Sequence, residues 1–137
     1  MGRFLGIDFG EKRVGLALSD RSKLIASPYK TLNYFNENDL VNQLREIVID
    51  NNVENFVLGL PINMKGEDTK QTKKVRNFKK SLSILNIPII YEDERLSSVS
   101  AKNSLMLQKI KTGYNKHEID KTAAAIILQQ YLDKNSN

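Results

Sequence analysis

The 137-residue sequence contains no cysteine, no tryptophan and only one histidine, His117. Without cysteine there is no disulfide, no thiolate nucleophile and no thiolate-held zinc or iron–sulfur site. A single histidine likewise excludes any device that needs two imidazoles, so acid–base or metal chemistry falls to carboxylates. Long apolar runs are missing too: no window approaches the about 18 residues that a membrane span requires. The amino terminus alternates like a strand and does not place a charged region before a signal helix. A cytoplasmic protein without membrane contact is the expectation.

What is present is positive charge, unevenly spread. The net charge is +5, and the segment from Lys65 to Lys80 carries seven Lys or Arg against Glu67 and Asp68, which equals the whole excess. Such clustering suits a phosphate-rich partner, because each neutralised phosphate releases counterions. A solvated helix face in a lysine-rich protein has the same appearance. The apolar fraction of 40% and charged fraction of 27% are ordinary for a globular chain. No repeat, low-complexity tract or linker divides it, and a single domain over residues 1–137 is expected.

Periodicity supplies the elements. Arg3 to Asp8 and Arg13 to Ser19 alternate as strands around the turn-like Gly10-Glu11-Lys12, which predicts a hairpin. Leu24 to Thr31 reads as a third strand, with Pro28 marking an edge or a bulge. Leu40, Val41, Leu44, Ile47 and Val48 recur at helical spacing between Asp39 and Asn51, with Asn36 or Asn38 as cap. Phe56-Val57-Leu58 is a short apolar run of the buried-strand type. The basic segment predicts a second helix, about Thr69 to Leu85, with its lysines outward. Pro88 to Tyr91 is a fifth strand, Ser97 or Ser98 starts another helix, residues 111–115 form a loop, and a final helix runs from about Lys116 to Leu132. The order βββαβαβα predicts an α/β fold: a mixed five-stranded sheet flanked by helices, with the first hairpin antiparallel and the later strands parallel.

Three acids stand out within that frame. Asp8 shares a strand face with Phe4 and Gly6 and emerges at the strand's carboxyl end, where open α/β sheets bind ligands. Glu92, Asp93 and Glu94 follow the fifth strand, next to Arg95. Asp120 begins the stripe Asp120, Ala124, Ile127, Tyr131 on the final helix, an acid facing a sheet. A buried carboxylate is costly unless it is paired or holds a metal, and converging carboxylates suit a hard cation such as Mg²⁺. Each acid alone also has a plain structural reading: a turn cap for Asp8, a first-turn helix acid for Asp120, and a solvated loop for the run at 92–95. Gly6, Gly10 and Gly15 are read as turn or close-approach residues, and His117, between Lys116 and Glu118, as a surface residue.

Asp8-Phe9-Gly10 resembles the phosphate-binding hairpin of the actin and sugar-kinase superfamily, which needs two lobes where this chain has room for one. A fuller resemblance rests on four motifs in order: Asp8-Phe9-Gly10 with Arg13-Val14-Gly15, Gly59 through Gly66 (GLPINMKG), Asp93 through Ser98 (DERLSS), and Asp120 through Leu128 (DKTAAAIIL). Together they resemble the YqgF family, provisionally named pre-16S rRNA nucleases and once called Holliday junction resolvase-like proteins. The resemblance implies an RNase H-like fold and a divalent-metal-dependent nuclease, using Mg²⁺ or Mn²⁺, with Asp8, Glu94 and Asp120 as metal-binding and catalytic acids. Asp93 is the reserve for Glu94, since RNase H-like resolvases commonly carry the second acid after the fourth strand, where this chain has Gly59-Leu60-Pro61. It further implies that Lys12, Arg13, Lys73, Lys74, Lys80 and Arg95 contact the nucleic-acid backbone. The resemblance implies precursor rRNA or branched DNA as substrate, with the ribosome among the partners it suggests, and a non-catalytic nucleic-acid-binding module is the alternative class.

Overall fold

The computed structural model describes residues 2–94 and 116–135. The expected helix from Ser97 or Ser98, the loop at 111–115 and Arg95 lie outside the described residues. Strands β1 (Arg3–Phe9), β2 (Arg13–Ser19) and β3 (Ala26–Asn33) are followed by helix α1 (Glu37–Asn51), strand β4 (Val53–Leu60) and helix α2 (Lys70–Leu82). A short 3₁₀ turn (Ser83–Leu85), strand β5 (Ile89–Asp93) and helix α3 (Lys116–Asn135) complete the order. The five strands form one sheet in the order β3-β2-β1-β4-β5, antiparallel at β1–β2 and β2–β3 and parallel at β1–β4 and β4–β5.

The third strand starts and ends two residues later than its periodicity predicts. Pro28 sits at a bulge within it: the register shifts between Leu16 and Ala17, so that Leu16 opposes Lys30 and Ala17 opposes Pro28. The missing N–H is accommodated by both an edge position and a bulge. β4 is longer than its apolar run because β1 carries Val53 to Asn55 into the ladder at one end despite their polar members, and β5 carries Gly59 and Leu60 at the other. Asn36 caps α1 by accepting from the Asp39 N–H, and Asn52 closes that helix in the left-handed region at φ 52°. Thr69 and Thr72 form a reciprocal capping box at the start of α2.

The two faces of the sheet bury different partners. Leu5, Ile7 and Phe9 of β1 pack with Phe56, Leu58 and the inward sides of α1 and α2, and Phe9 stacks on Phe78 at 4.4 Å between ring centroids. The opposite face belongs to α3, whose Ala124, Ile127, Leu128 and Leu132 cover Ala17 and Val57. That face is lined by small residues, so the helix sits unusually close to the strands. A Cβ at Gly6 would lie 2.8 Å from the Leu128 Cβ.

Candidate active site at the carboxyl edge of the sheet

Alternation along β1 sends Ile7 and Phe9 into the α1–α2 core and leaves Asp8 on the α3 face. Its cross-strand partner is Gly15. A Cβ at Gly15 would lie 2.0 Å from the Asp120 carbonyl oxygen and 2.4 Å from the Asp120 carbonyl carbon, so α3 at Asp120 rests on bare β2 backbone. This contact sets Asp120 beside Asp8. The Arg13 Nε donates to Asp120 Oδ2 at 2.6 Å, tying the start of β2 to the start of α3.

The third acid arrives from β5. Glu92 opposes Gly59 in the parallel ladder, and the Glu94 N–H donates to the Leu60 carbonyl at 3.3 Å, which carries the ladder to the strand's end. Alternation then places Glu92 and Glu94 toward α3 and Asp93 on the other face. The carboxyl group of Glu94 lies over Gly59, with Cδ and Oε1 each 3.2 Å from where a Cβ at that glycine would stand. The absence of an acid after β4 thereby acquires a physical reason: a glycine there leaves the space that Glu94 fills from the neighbouring strand. Glu92, only 2% exposed, accepts from Gln130 Nε2 and lies 2.7 Å from Lys134 Nζ. Gln130 also donates to the Asp93 carbonyl at 3.1 Å, so α3 pins β5 immediately before Glu94. Glu92, Asp93 and Glu94 are adjacent in sequence, and the period-2 alternation of β5 separates their faces.

The electrostatics follow from this packing. Burial, and then the charge of Asp120, push the Asp8 carboxyl up to about 6. Burial, and then the charges of Asp8 and Asp93, push Glu94 up to about 8. Asp8 thus faces repulsion from Asp120 and from Glu94, while no group of three His, Cys, Asp or Glu among the described residues surrounds one common point. The donor set consists of hard carboxylate oxygens, desolvated and mutually repelling, which fits a hard divalent cation better than a soft one. The arrangement is pairwise about Asp8, with Asp120 already held by Arg13.

Raised values mean that the folded state keeps protons that the unfolded chain has released. Stability of the metal-free protein therefore falls as pH rises, through about 6 for Asp8 and about 8 for Glu94. Between those two values Glu94 sets the slope. A thermal-melt series without metal is expected to lose about 5–10 °C from pH 6 to pH 8, and Glu94→Gln to flatten that interval. A wild-type melting temperature that climbs across it contradicts the burial of this acid.

The expected phosphate contacts divide. Lys12 is exposed in the β1–β2 turn and Arg13 stands at the acids, engaged with Asp120. Lys73, Lys74 and Lys80 are exposed on α2, across the sheet from the carboxylates. Lys74 pairs with Glu11 of the turn. His117 is exposed, as its polar neighbours suggested, and its carbonyl accepts from the Thr31 hydroxyl at 2.6 Å.

Solved structures place this architecture in a class. Thermus thermophilus RuvC in complex with a Holliday junction substrate superposes with a TM-score of 0.61, over 99% of this chain and 98% of that one, at 14% sequence identity. The fowlpox virus Holliday junction resolvase gives 0.57, over 96% and 98%, at 15% identity. The fold is therefore that of the RuvC-like, RNase H-type nucleases. Within that class the chain belongs to the family described as RuvX: Holliday junction resolvase, whose model matches residues 2–134. Relatives provisionally named pre-16S rRNA nuclease include one from Crocosphaera subtropica, 45% identical over 95% of this chain and 92% of its own length. Another, from Maridesulfovibrio salexigens, is 41% identical over 95% and 97%. A third, from Dictyoglomus thermophilum, is 41% identical over 98% and 97%. The family that the four motifs resembled is the family found.

Proposed function

We propose that this chain is a cytoplasmic, single-domain, metal-dependent nuclease that trims precursor 16S rRNA during ribosome biogenesis, with Asp8, Glu94 and Asp120 as its catalytic acids. The observation that carries the reading is the meeting of Asp8 with Asp120 on one side and Glu94 on the other, at the carboxyl ends of parallel strands. Asp8, common to both pairs, would hold Mg²⁺ or Mn²⁺ together with Glu94 and Asp120. Asp93 points to the other face and is set aside. Held there, such a cation would supply an acidified water nucleophile and charge neutralisation at the leaving oxygen.

The chain's own residues do the rest. Arg13 orients Asp120 and brings a positive charge to the edge of the acids, where a phosphodiester oxygen would otherwise meet only repulsion. Lys12, exposed in the adjoining turn, attracts the backbone without reading bases. The turn that carries it is held rigid: the Tyr34 hydroxyl lies 2.8 Å from the Gly10 carbonyl and 3.0 Å from that of Glu11, and Gln71 Nε2 donates to the Phe9 carbonyl at 2.9 Å. A fixed turn lets substrate approach a preorganised site.

The test compares purified protein on a precursor 16S rRNA fragment and on a four-way DNA junction, each with Mg²⁺ and with Mn²⁺. RNA cleavage faster by about tenfold or more is the expected result. Faster, paired cuts in the junction would instead favour the resolvase reading, which the family's description supports and which requires a dimer presenting two sites. Binding without cleavage of either substrate, unchanged by Asp8→Asn, would make the chain a binding module.

A further inference from the structure

The basic helix and the acids stand on opposite faces of one sheet. Val75 and Phe78 bury the inner side of α2 in the core formed by Leu5, Ile7 and Phe9, whereas Asp8 projects toward α3. Helices pack about 10 Å from the layer they cover. The lysine head groups on the outer side of α2 are consequently about 20 Å or more from the carboxylates, with the whole sheet between them. No lysine side chain spans that distance, so these residues do not touch the phosphate being cut.

Their arrangement still calls for a polyanion. Lys70, Lys73, Asn77 and Lys80 recur at i, i+3, i+7 and i+10, one outward stripe about 15 Å long at the helical rise. All four are exposed. Lys70 and Lys80 form no ion pair among the described residues and Lys73 feels only the nearby charge of Asp68, which Arg76 already binds, whereas Lys74 is paired with Glu11. On one flank of the stripe, Ser81 donates to Glu37 of neighbouring α1 at 2.5 Å. On the other flank, Arg76 and Lys79 lie over the Tyr91 ring of β5 at 5.5 and 4.8 Å. The Lys74–Glu11 pair joins the start of the helix to the β1–β2 turn, making the turn the shortest way from one face to the other.

We infer that α2 is a second, non-catalytic docking surface for RNA, and that Lys70, Lys73 and Lys80 hold the backbone of the same molecule whose cleavage site lies across the sheet at the acids. This rests on the nuclease reading and adds a size requirement to it. Only an RNA long or folded enough to pass the β1–β2 turn engages both faces, and its second contact then forms at the high effective concentration set by the first. A short strand engages the acid face alone. Selection for large structured RNA follows without any base-specific contact.

The experiment measures binding in the full-length Asp8→Asn protein with Mg²⁺ present, with and without Lys70→Gln, Lys73→Gln and Lys80→Gln combined. One probe is a short single-stranded RNA, and the other is a folded RNA containing that strand. The triple substitution is expected to weaken binding of the folded RNA by about tenfold or more and to reduce its log affinity–log salt slope by about 2 to 3. Affinity for the short strand should change less than about twofold. An equal loss on both probes would place the lysines on the path of the cut strand, and no loss on either would remove RNA from this face. Both results overturn the inference. Wild-type cleavage of the precursor fragment is scored separately, so that loss of the nuclease reading is seen independently of the outcome at α2.

Discussion

Asp8→Asn is expected to lower metal-dependent cleavage by on the order of 10³-fold or more while raising the melting temperature of the metal-free protein by several degrees at pH 8. The two effects share one cause. Above about pH 6 the native carboxylate is ionised in a buried position beside Asp120, although its ordinary value lies at 3.8. That mismatch destabilises the folded state by about 2–3 kcal/mol at alkaline pH. Asparagine keeps the shape, removes the charge and relieves the repulsion, but it gives a cation a much poorer ligand. Activity assays and calorimetry on the same preparation distinguish this from a structural role, in which loss of activity would accompany loss of stability. Asp120→Asn should lose comparable activity without the gain, because Arg13 already compensates that charge at 2.6 Å. Wild-type cleavage by either variant would refute the assignment of the acids.

The second large effect comes from a residue with no functional group. Gly15→Ala would place a methyl 2.0 Å from a backbone oxygen of α3 and 3.0 Å from the Lys121 nitrogen. A flexible side chain could turn aside; a helix backbone cannot, so α3 must lift or tilt near Asp120. Overpacking of this kind should cost about 3 kcal/mol or more and about 10 °C in melting temperature. The helix carries Asp120 with it, and a shift of about 1 Å at a reacting group is enough for a loss of about 100-fold in rate. Cleavage measured well below the variant's melting temperature separates misplacement from unfolding. A folded Gly15→Ala protein with more than half the wild-type rate would show that the close approach does not set the position of Asp120.

These two residues illustrate what the sequence makes legible. Asp8 is conspicuous because a charge ends an otherwise apolar strand, and that signal survives in any context. Gly15 was read as a turn or close-approach residue, but the partner of the approach lies 105 positions away and has no local signature. The faces of the sheet posed the same difficulty. The basic helix is evident from its periodicity, yet its side of the sheet depends on strand order. Once β1, β4 and β5 are known to follow one another in one direction, right-handed crossovers put α1 and α2 on the same face. The final helix is then left to cover the other. Alternation separates Asp93 from Glu94 along β5 but does not show what either acid meets, and only the pairing of β5 with β4 brings Glu94 over Gly59.

The span of the Arg13–Asp120 contact, 107 residues from one partner to the other, also bears on how the protein is made. Synthesis proceeds from the amino terminus, and Asp8 with its hairpin emerges early, while the helix that brings Asp120 and covers the α3 face comes last. Until that helix docks, Asp8 has no acidic partner on β2's side and the small-residue face of the sheet is bare. Under the proposed assignment of the acids, the set that includes Asp120 is therefore complete only once α3 has docked on the sheet.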